Sequence, residues 1–299
     1  MKRGVVYVVW GEKAAIAAKT SLASLWAVCP EMEVLIVGDH DADIVGQAFG
    51  WPKNLVRLTL DVQPFNGAQF LAGRIKPFLY GHTPLFERAL YVDADTKFRR
   101  APDVGFKLLD DWDFVVAETG NRSLADQLCG KVEAEKSRQM FGGVRDLLYH
   151  NSGMLFWKRN ERVERLFKLW SEEWKRFGGW DEQIALLRAL ARSEVLFLTV
   201  PFTWNTNFPS QATLLFHDFG QRTAWKFKRT RGRVMTADEL RLLASEMRRQ
   251  PHVLARGGAM QKEGTKTGAD MRKQKLTKPK EAPQNKAIST PRQNKEVDG

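Results

Sequence analysis

The run Gly4-Val5-Val6-Tyr7-Val8-Val9-Trp10 carries no charged side chain on either of the two faces a strand presents. A strand half open to water alternates apolar and polar residues, so a run without alternation is covered on both sides. Similar runs recur as MEVLIVGD (32–39), RALYVDAD (88–95), WDFVVAET (112–119), SGMLFWK (152–158) and EVLFLTV (194–200). Helical spacing fills the intervals, in KAAIAAKTSLASLWAV (13–28), ERVERLFKLWSEEWKRF (161–177) and DEQIALLRALAR (181–192). A further helix, interrupted near Pro77, is expected over 67–82, and a polar, helical excursion over 122–147. ATLLFHDFG (212–220) is the last apolar run, and Thr236 with Glu239 three residues on forms a capping box that opens a helix. The order predicts an α/β fold: a mostly parallel central sheet with helices on both faces and ligands at the carboxyl ends of its strands.

The chain of 299 residues is long enough for one large domain, and no run approaches the length of a membrane span. The apolar run near the start meets Gly11-Glu12-Lys13 rather than a small-residue cleavage site, so it reads as the first strand of a cytoplasmic protein. Two cysteines, Cys29 and Cys129, exclude a disulfide framework and a cysteine-only zinc site. The formal charge of +12 is uneven: residues 256–299 hold eleven Lys or Arg against five Asp or Glu. That stretch has no aromatic residue, and its composition predicts a disordered basic tail after a folded domain over 1–255. Such a tail fits a solubilising segment or an anchor for polyanions.

The most informative stretch is ALYVDADTKF (89–98), which delivers Asp93 and Asp95 to the end of an apolar strand. Like charges two residues apart share one strand face and repel in a buried layer unless a cation sits between them. At the carboxyl end of the strand the chain can turn both carboxylates onto one ion, and oxygen ligands suit Mg²⁺ or Mn²⁺. Read alone, the Asp-x-Asp pair also fits a solvated turn.

Taken in order, VVYVVW, LYVDAD, HNSGMLFWK, WDEQIALL and LLFHDFG resemble the retaining GT-A glycosyltransferases. The closest likeness is to family 8, the glycogenin and lipopolysaccharide galactosyltransferase-like enzymes, over roughly residues 4–226. The resemblance implies a GT-A, Rossmann-like nucleotide-diphospho-sugar transferase fold and transfer of a sugar, with retention, from a nucleotide-diphosphate-sugar to a hydroxyl. It implies that Asp93 and Asp95, the DXD motif, hold the metal and through it the donor diphosphate. His217 of FHDFG matches the family's His-x-x-Gly as a third ligand, which favours Mn²⁺ over Mg²⁺, and Gly220 completes that motif. The Lys-Pro-Trp that usually follows is replaced by QRTAWKFKRTR, so Lys226, with Arg222 second, is assigned to the leaving diphosphate.

The same resemblance places Asn151, Ser152 and Gly153 against the donor sugar. It puts Tyr7, Val8, Val9 and Trp10 beside the nucleotide base, and Arg74 and Lys76 on a helix face toward the donor. Asp39 could hold a ribose hydroxyl or cap a turn. The family's Asp-Gln pair beside the anomeric carbon corresponds to Asp181, Glu182 and Gln183; which of them takes the catalytic place stays open, since all three also suit the first turn of a helix. A glutamate there could act as a nucleophile, which an amide could not.

The basic run Lys226, Lys228, Arg229, Arg231, Arg233, interleaved with Trp225 and Phe227, has the pattern of a phosphate-backbone contact surface or of a solvated face. It points to a polyanionic acceptor, such as a hydroxylated base in DNA, ahead of lipopolysaccharide core. Two rivals remain. A sugar-nucleotidyltransferase would want a glycine-rich basic loop after the first strand, of which GEKAAIAAKT is a poor version. A nucleic-acid-binding protein on a degenerate transferase fold would need no metal.

Overall fold

The computed structural model describes residues 1–60, 75–123, 131–143, 147–178 and 181–218. The strands are β1 (Arg3–Val9), β2 (Glu33–Gly38), β3 (Leu55–Thr59), β4 (Arg88–Val92), β5 (Thr96–Phe98), β6 (Phe114–Ser123), β7 (Leu148–Lys158), β8 (Phe197–Val200), β9 (Asn205–Thr206) and β10 (Leu215–His217). The helices are α1 (Gly11–Val28), α2 (Asp43–Phe49), α3 (Leu79–His82), α4 (Asp103–Leu108), α5 (Lys131–Met140), α6 (Glu161–Arg176) and α7 (Glu182–Arg192). The helix expected over 67–82 is described only from residue 75, where Lys76–Phe78 forms a 3₁₀ turn leading into α3. The expected helix after Thr236 and the basic tail lie outside the described residues.

Seven strands form one sheet in the order β3-β2-β1-β4-β7-β6-β8. All neighbours run parallel except β7, which is antiparallel to both β4 and β6. The expected mostly parallel sheet is present, and the reversal of β7 was not foreseen. Alternation along β1 explains the double cover. Val5, Tyr7 and Val9 enter a core with α1, Ile44 and Phe106, whereas Val6 and Val8 enter one with Leu79, Trp170 and Leu186. The unbroken apolar run is the signature of these two half-cores. The edge strand β3 is buried only at Leu55 and carries Arg57, so LVRLT escapes a search for continuous apolar runs.

The order of strands also fixes where a ligand site can be. From β1 the chain goes to β2 on one side, then returns to β4 on the other, so the sheet reverses its winding between the carboxyl ends of β1 and β4. A crevice opens at such a point. A second sheet, β5-β10-β9, lies just beyond it. Strand β5 begins one residue after Asp95, and β10 pairs with it antiparallel, matching His217 to Thr96. This pairing carries His217 to the Asp-x-Asp turn across more than a hundred residues of chain.

The polar excursion between β6 and β7 is helical in α5, which a buried ion cluster fastens to α6 and α7. Arg188 of α7 is fully buried and donates to Glu173 Oε2 at 2.9 Å, to Glu133 Oε1 at 2.8 Å and to Ser137 Oγ at 2.7 Å. Removing one partner of a buried cluster strands the charge that remains. Arg188→Ala is therefore expected to lower the unfolding free energy by about 3–5 kcal/mol in urea titrations. A loss no larger than the roughly 1 kcal/mol of an exposed pair would show that the cluster does not clamp these helices.

Candidate functional site

The site is built on the bulge that follows β4 in register. Val92 pairs with Met154 of β7, and the Asp93 amide donates to the Gly153 carbonyl at 3.0 Å. On its other edge, β7 loses register with β6: Val116 opposes Leu155, but Ala117 opposes Asn151. The extra β7 residues bulge, and a bulge re-aims side chains beside a site. Asn151, Ser152 and Gly153, expected just ahead of a strand, thus lie inside β7 at its irregular point.

Gly153 is required there. A Cβ on it would fall 2.5 Å from Asp93 Oδ2 and 3.1 Å from His217 Cε1. The space left by the missing side chain is where Asp93, Asp95 and His217 converge, each with one ligand atom within 4.8 Å of the others. His217 Nε2 stands 3.0 Å from Asp95 Oδ1 and 3.7 Å from Asp93 Oδ2. Beneath the turn, buried hydroxyls brace it: Tyr7 Oη lies 3.0 Å from Ser21 Oγ and Ser21 Oγ 3.2 Å from Thr96 Oγ1, which donates to the Asp93 carbonyl at 2.8 Å. Beyond His217, Asp218 accepts from the buried Lys97 at 2.7 Å.

The two oxygens of Asp93 have different duties. Oδ1 accepts from Tyr91 Oη at 2.6 Å and from Lys76 Nζ at 3.0 Å, while Oδ2 faces His217. Burial alone would raise the Asp93 pKa, but Lys76, His217 and the Tyr91 hydroxyl outweigh it and hold the carboxyl below its usual range. Burial likewise works against the Lys76 ammonium, and Asp93 with Glu182 overcomes it, so the lysine is held above its normal range. Besides Asp93, Lys76 donates to Glu182 Oε1 at 3.0 Å and Ser152 Oγ at 3.2 Å. An ammonium has three N–H groups, and all three have acceptors. Lys76 is thus a buried link between two carboxylates.

The helix-start residues separate clearly. Asp181 caps α7, its Oδ1 accepting from the amides of Gln183 and Ile184 at 2.9 and 3.1 Å, and Tyr149 Oη donates to its carboxylate at 3.4 Å. Gln183 braces β7: its Oε1 accepts from the Ser152 amide at 3.0 Å and its Nε2 donates to Tyr149 Oη at 3.0 Å. Glu182 Oε1 accepts from Lys76 and, at 3.0 Å, from Ser152 Oγ. Tyr149 and Tyr91 were not singled out from sequence. Each lies in or beside a run that reads as plain strand, and only the fold shows that its hydroxyl reaches an acid.

Tyr7, Val8 and Val9 are core, each 0–1% exposed, and half-buried Trp10 is the aromatic at that strand end. Asp39 is a turn residue, accepting from the amides of Gly11 at 3.0 Å and Asp41 at 3.0 Å. Asn151 Oδ1 accepts from the Gly153 amide at 2.8 Å, which shapes the bulge. The residues Arg74, Gly220, Arg222, Lys226 and the basic run 225–233 lie outside the described residues. No glycine-rich loop separates β1 from α1, since one strand ends at Val9 and the helix begins at Gly11, which is unlike the loop a nucleotidyltransferase needs.

No protein-family profile and no curated protein matches the chain. Solved structures do. One is the galactosyltransferase LgtC in complex with donor and acceptor sugar analogs, with a TM-score of 0.54 and 14% identity over 80% of this chain and 99% of that one. Another is apo mouse xyloside xylosyltransferase 1, with a TM-score of 0.52 and 10% identity over 73% of this chain and 97% of that one. The chain has the GT-A glycosyltransferase fold. The resemblance noted in the sequence is borne out at the level of fold, and activity has to be argued from the site.

The donor set of two carboxylate oxygens and one imidazole fits Mn²⁺, and the acid excess around Lys76 is what a divalent cation offsets. Manganese titration of the full chain, followed by the EPR signal of the free ion, is expected to reveal one site. Gly153→Ala is expected to weaken it by about 10-fold or more, as changes around metal ligands do. Unchanged affinity in that variant would place the ion elsewhere.

Proposed function

We propose that the protein is a metal-dependent glycosyltransferase, moving a sugar from a nucleotide-diphosphate-sugar to a hydroxyl acceptor with retention of configuration. The observation that carries this reading is the convergence of Asp93, Asp95 and His217 on the space kept open by Gly153, at the switch point of a GT-A sheet. A divalent cation held there would bind a diphosphate and neutralise its charge as it leaves. Asp93 Oδ2, Asp95 Oδ1 and His217 Nε2 are the atoms that would hold it.

The chain's own groups do the remaining work. Tyr91 and Lys76 fix Asp93 from behind through Oδ1 and so turn Oδ2 toward the opening. The hydroxyls of Ser21 and Thr96 keep the turn from opening into solvent. Tyr149 and Gln183 lock the bulge of β7 to the start of α7, which holds Ser152 beside Glu182. Trp170 of α6 adds to this, its indole N–H donating to the Glu182 carbonyl at 2.7 Å. Lys226, with Arg222 second, remains our assignment for a cation at the leaving diphosphate.

For the acceptor we propose a polyanion, with a hydroxylated base in DNA as the leading case. Its support is in the sequence: the basic run 225–233 with its two aromatics, and the basic tail from Arg256. A base within a duplex would have to be flipped out to reach the donor.

Two experiments test these claims. Incubated with Mn²⁺ and a panel of UDP-, GDP- and dTDP-linked hexoses and pentoses, the full chain is expected to release nucleoside diphosphate from one of them, and EDTA or Asp95→Ala to abolish the release. Turnover indifferent to both would reject the metal assignment. Filter binding of the full chain to duplex and single-stranded DNA is expected to fall steeply with salt, with a shallower slope once Lys228, Arg229 and Arg231 are changed to Gln. Absence of salt-dependent binding would remove nucleic acid as the acceptor.

A further inference from the structure

We infer that Glu182, rather than Asp181 or Gln183, is the reacting carboxylate, and that it acts as a nucleophile. The inference rests on the transferase reading above and names the residue that meets the sugar. Three observations carry it.

The first is elimination. The Asp181 carboxylate is engaged by the first turn of its own helix and by Tyr149. Both polar atoms of the Gln183 amide are engaged, one by the Ser152 amide and the other by Tyr149. Glu182 has one oxygen engaged, Oε1, and its Oε2 has no protein partner among the described residues. Oε2 is not a buried orphan either, and the side chain keeps 19% of its exposure, so this oxygen is open to solvent.

The second is position. Lys76 Nζ is 3.0 Å from Glu182 Oε1 and 3.0 Å from Asp93 Oδ1, so these oxygens are no more than twice that distance apart. A diphosphate held through an ion at Asp93 would carry its sugar nearby, and a carboxylate this close to Asp93 would lie within reach of that sugar.

The third is preorganisation. A nucleophile must be held so that one lone pair points at the carbon and the side chain does not turn away. Lys76 and Ser152 grip the same oxygen of Glu182 from two directions, leaving the other free to react. The backbone behind it is fixed by Trp170.

The step then balances as follows. Glu182 Oε2 attacks the anomeric carbon, forming a C–O ester bond. The bond from that carbon to the diphosphate oxygen breaks, and its electron pair leaves with the nucleoside diphosphate. In the second half, the acceptor hydroxyl oxygen attacks the same carbon and loses its proton to the departing diphosphate or to water. The ester C–O bond breaks, and its pair returns to Glu182 as carboxylate. Each half inverts the carbon, so the whole retains its configuration, as paired inversions do in retaining glycosidases.

The test uses the full chain and the donor that it turns over in the panel. A 2-deoxy-2-fluoro analogue of that donor, which slows both halves, is expected to add one glycosyl unit to the intact protein. Peptide mass mapping should place the adduct on Glu182. Glu182→Gln keeps the shape of the side chain and, since Asp93, Asp95 and His217 are untouched, is expected to retain a single Mn²⁺ site, weakened only by the loss of one nearby negative charge. It should form no adduct and lose kcat by about 1,000-fold or more, as losses of covalent nucleophiles do. Glu182→Ala with added azide should regain turnover and yield a glycosyl azide inverted relative to the donor. Wild-type kcat in Glu182→Gln, or an adduct on another residue, overturns the inference and leaves the transferase reading intact. Failure of the wild-type chain to turn over any donor overturns both.

Discussion

A carboxylate at the end of a strand covered on both faces must find compensation, and the arrangement around Asp93 follows from that need. Burial disfavours its charge, and a like charge follows two residues on. The fold answers with a lysine and a phenol on one oxygen and leaves the other toward His217. Each of these partners is itself costly to bury alone. Lys76 is in turn balanced by Glu182, which draws α7 to the sheet, and Tyr91 spends its hydroxyl on the acid it precedes. One buried charge thus organises residues from four separate stretches of chain.

The topology makes that organisation possible. The switch in winding puts the ends of β1 and β4 beside an open crevice, and the reversal of β7 brings a second chain past the same point in the opposite direction. An antiparallel neighbour presents its start where β4 presents its end. That is why Gly153, within β7, meets Asp93, the residue that follows β4. The small sheet then closes the arrangement, since β5 continues directly from the turn and takes β10 as its partner.

What could be read from the residues follows from this hierarchy. The doubly covered strands were legible because burial on both faces leaves an unbroken apolar run, and Asp93 with Asp95 because acids at the end of such a run violate the pattern around them. His217 was reachable only through the order of motifs, as nothing local to LLFHDFG says which strand it joins. The buried position of Tyr7, Val8 and Val9 was legible in their apolar character. Lys76 could not be placed from sequence: its acceptors lie 17, 76 and 106 residues along the chain. The β7 reversal left no trace either, because a buried antiparallel strand between two others is as uniformly apolar as a parallel one.

The division of Asp93 and Glu182 into one held oxygen and one open oxygen has a consequence for stability. Two carboxylates that share a single ammonium, with a third nearby, repel one another whenever no cation lies among them. A fold selected only for stability would replace one of them with an amide, as Gln183 already shows can be accommodated on the same turn. The excess of negative charge is therefore retained at a cost to the folded state, and such costs concentrate where binding or chemistry requires them. The same excess gives a divalent cation and the ligand it carries a stabilising role, since whatever binds the folded chain alone shifts the folding equilibrium toward it.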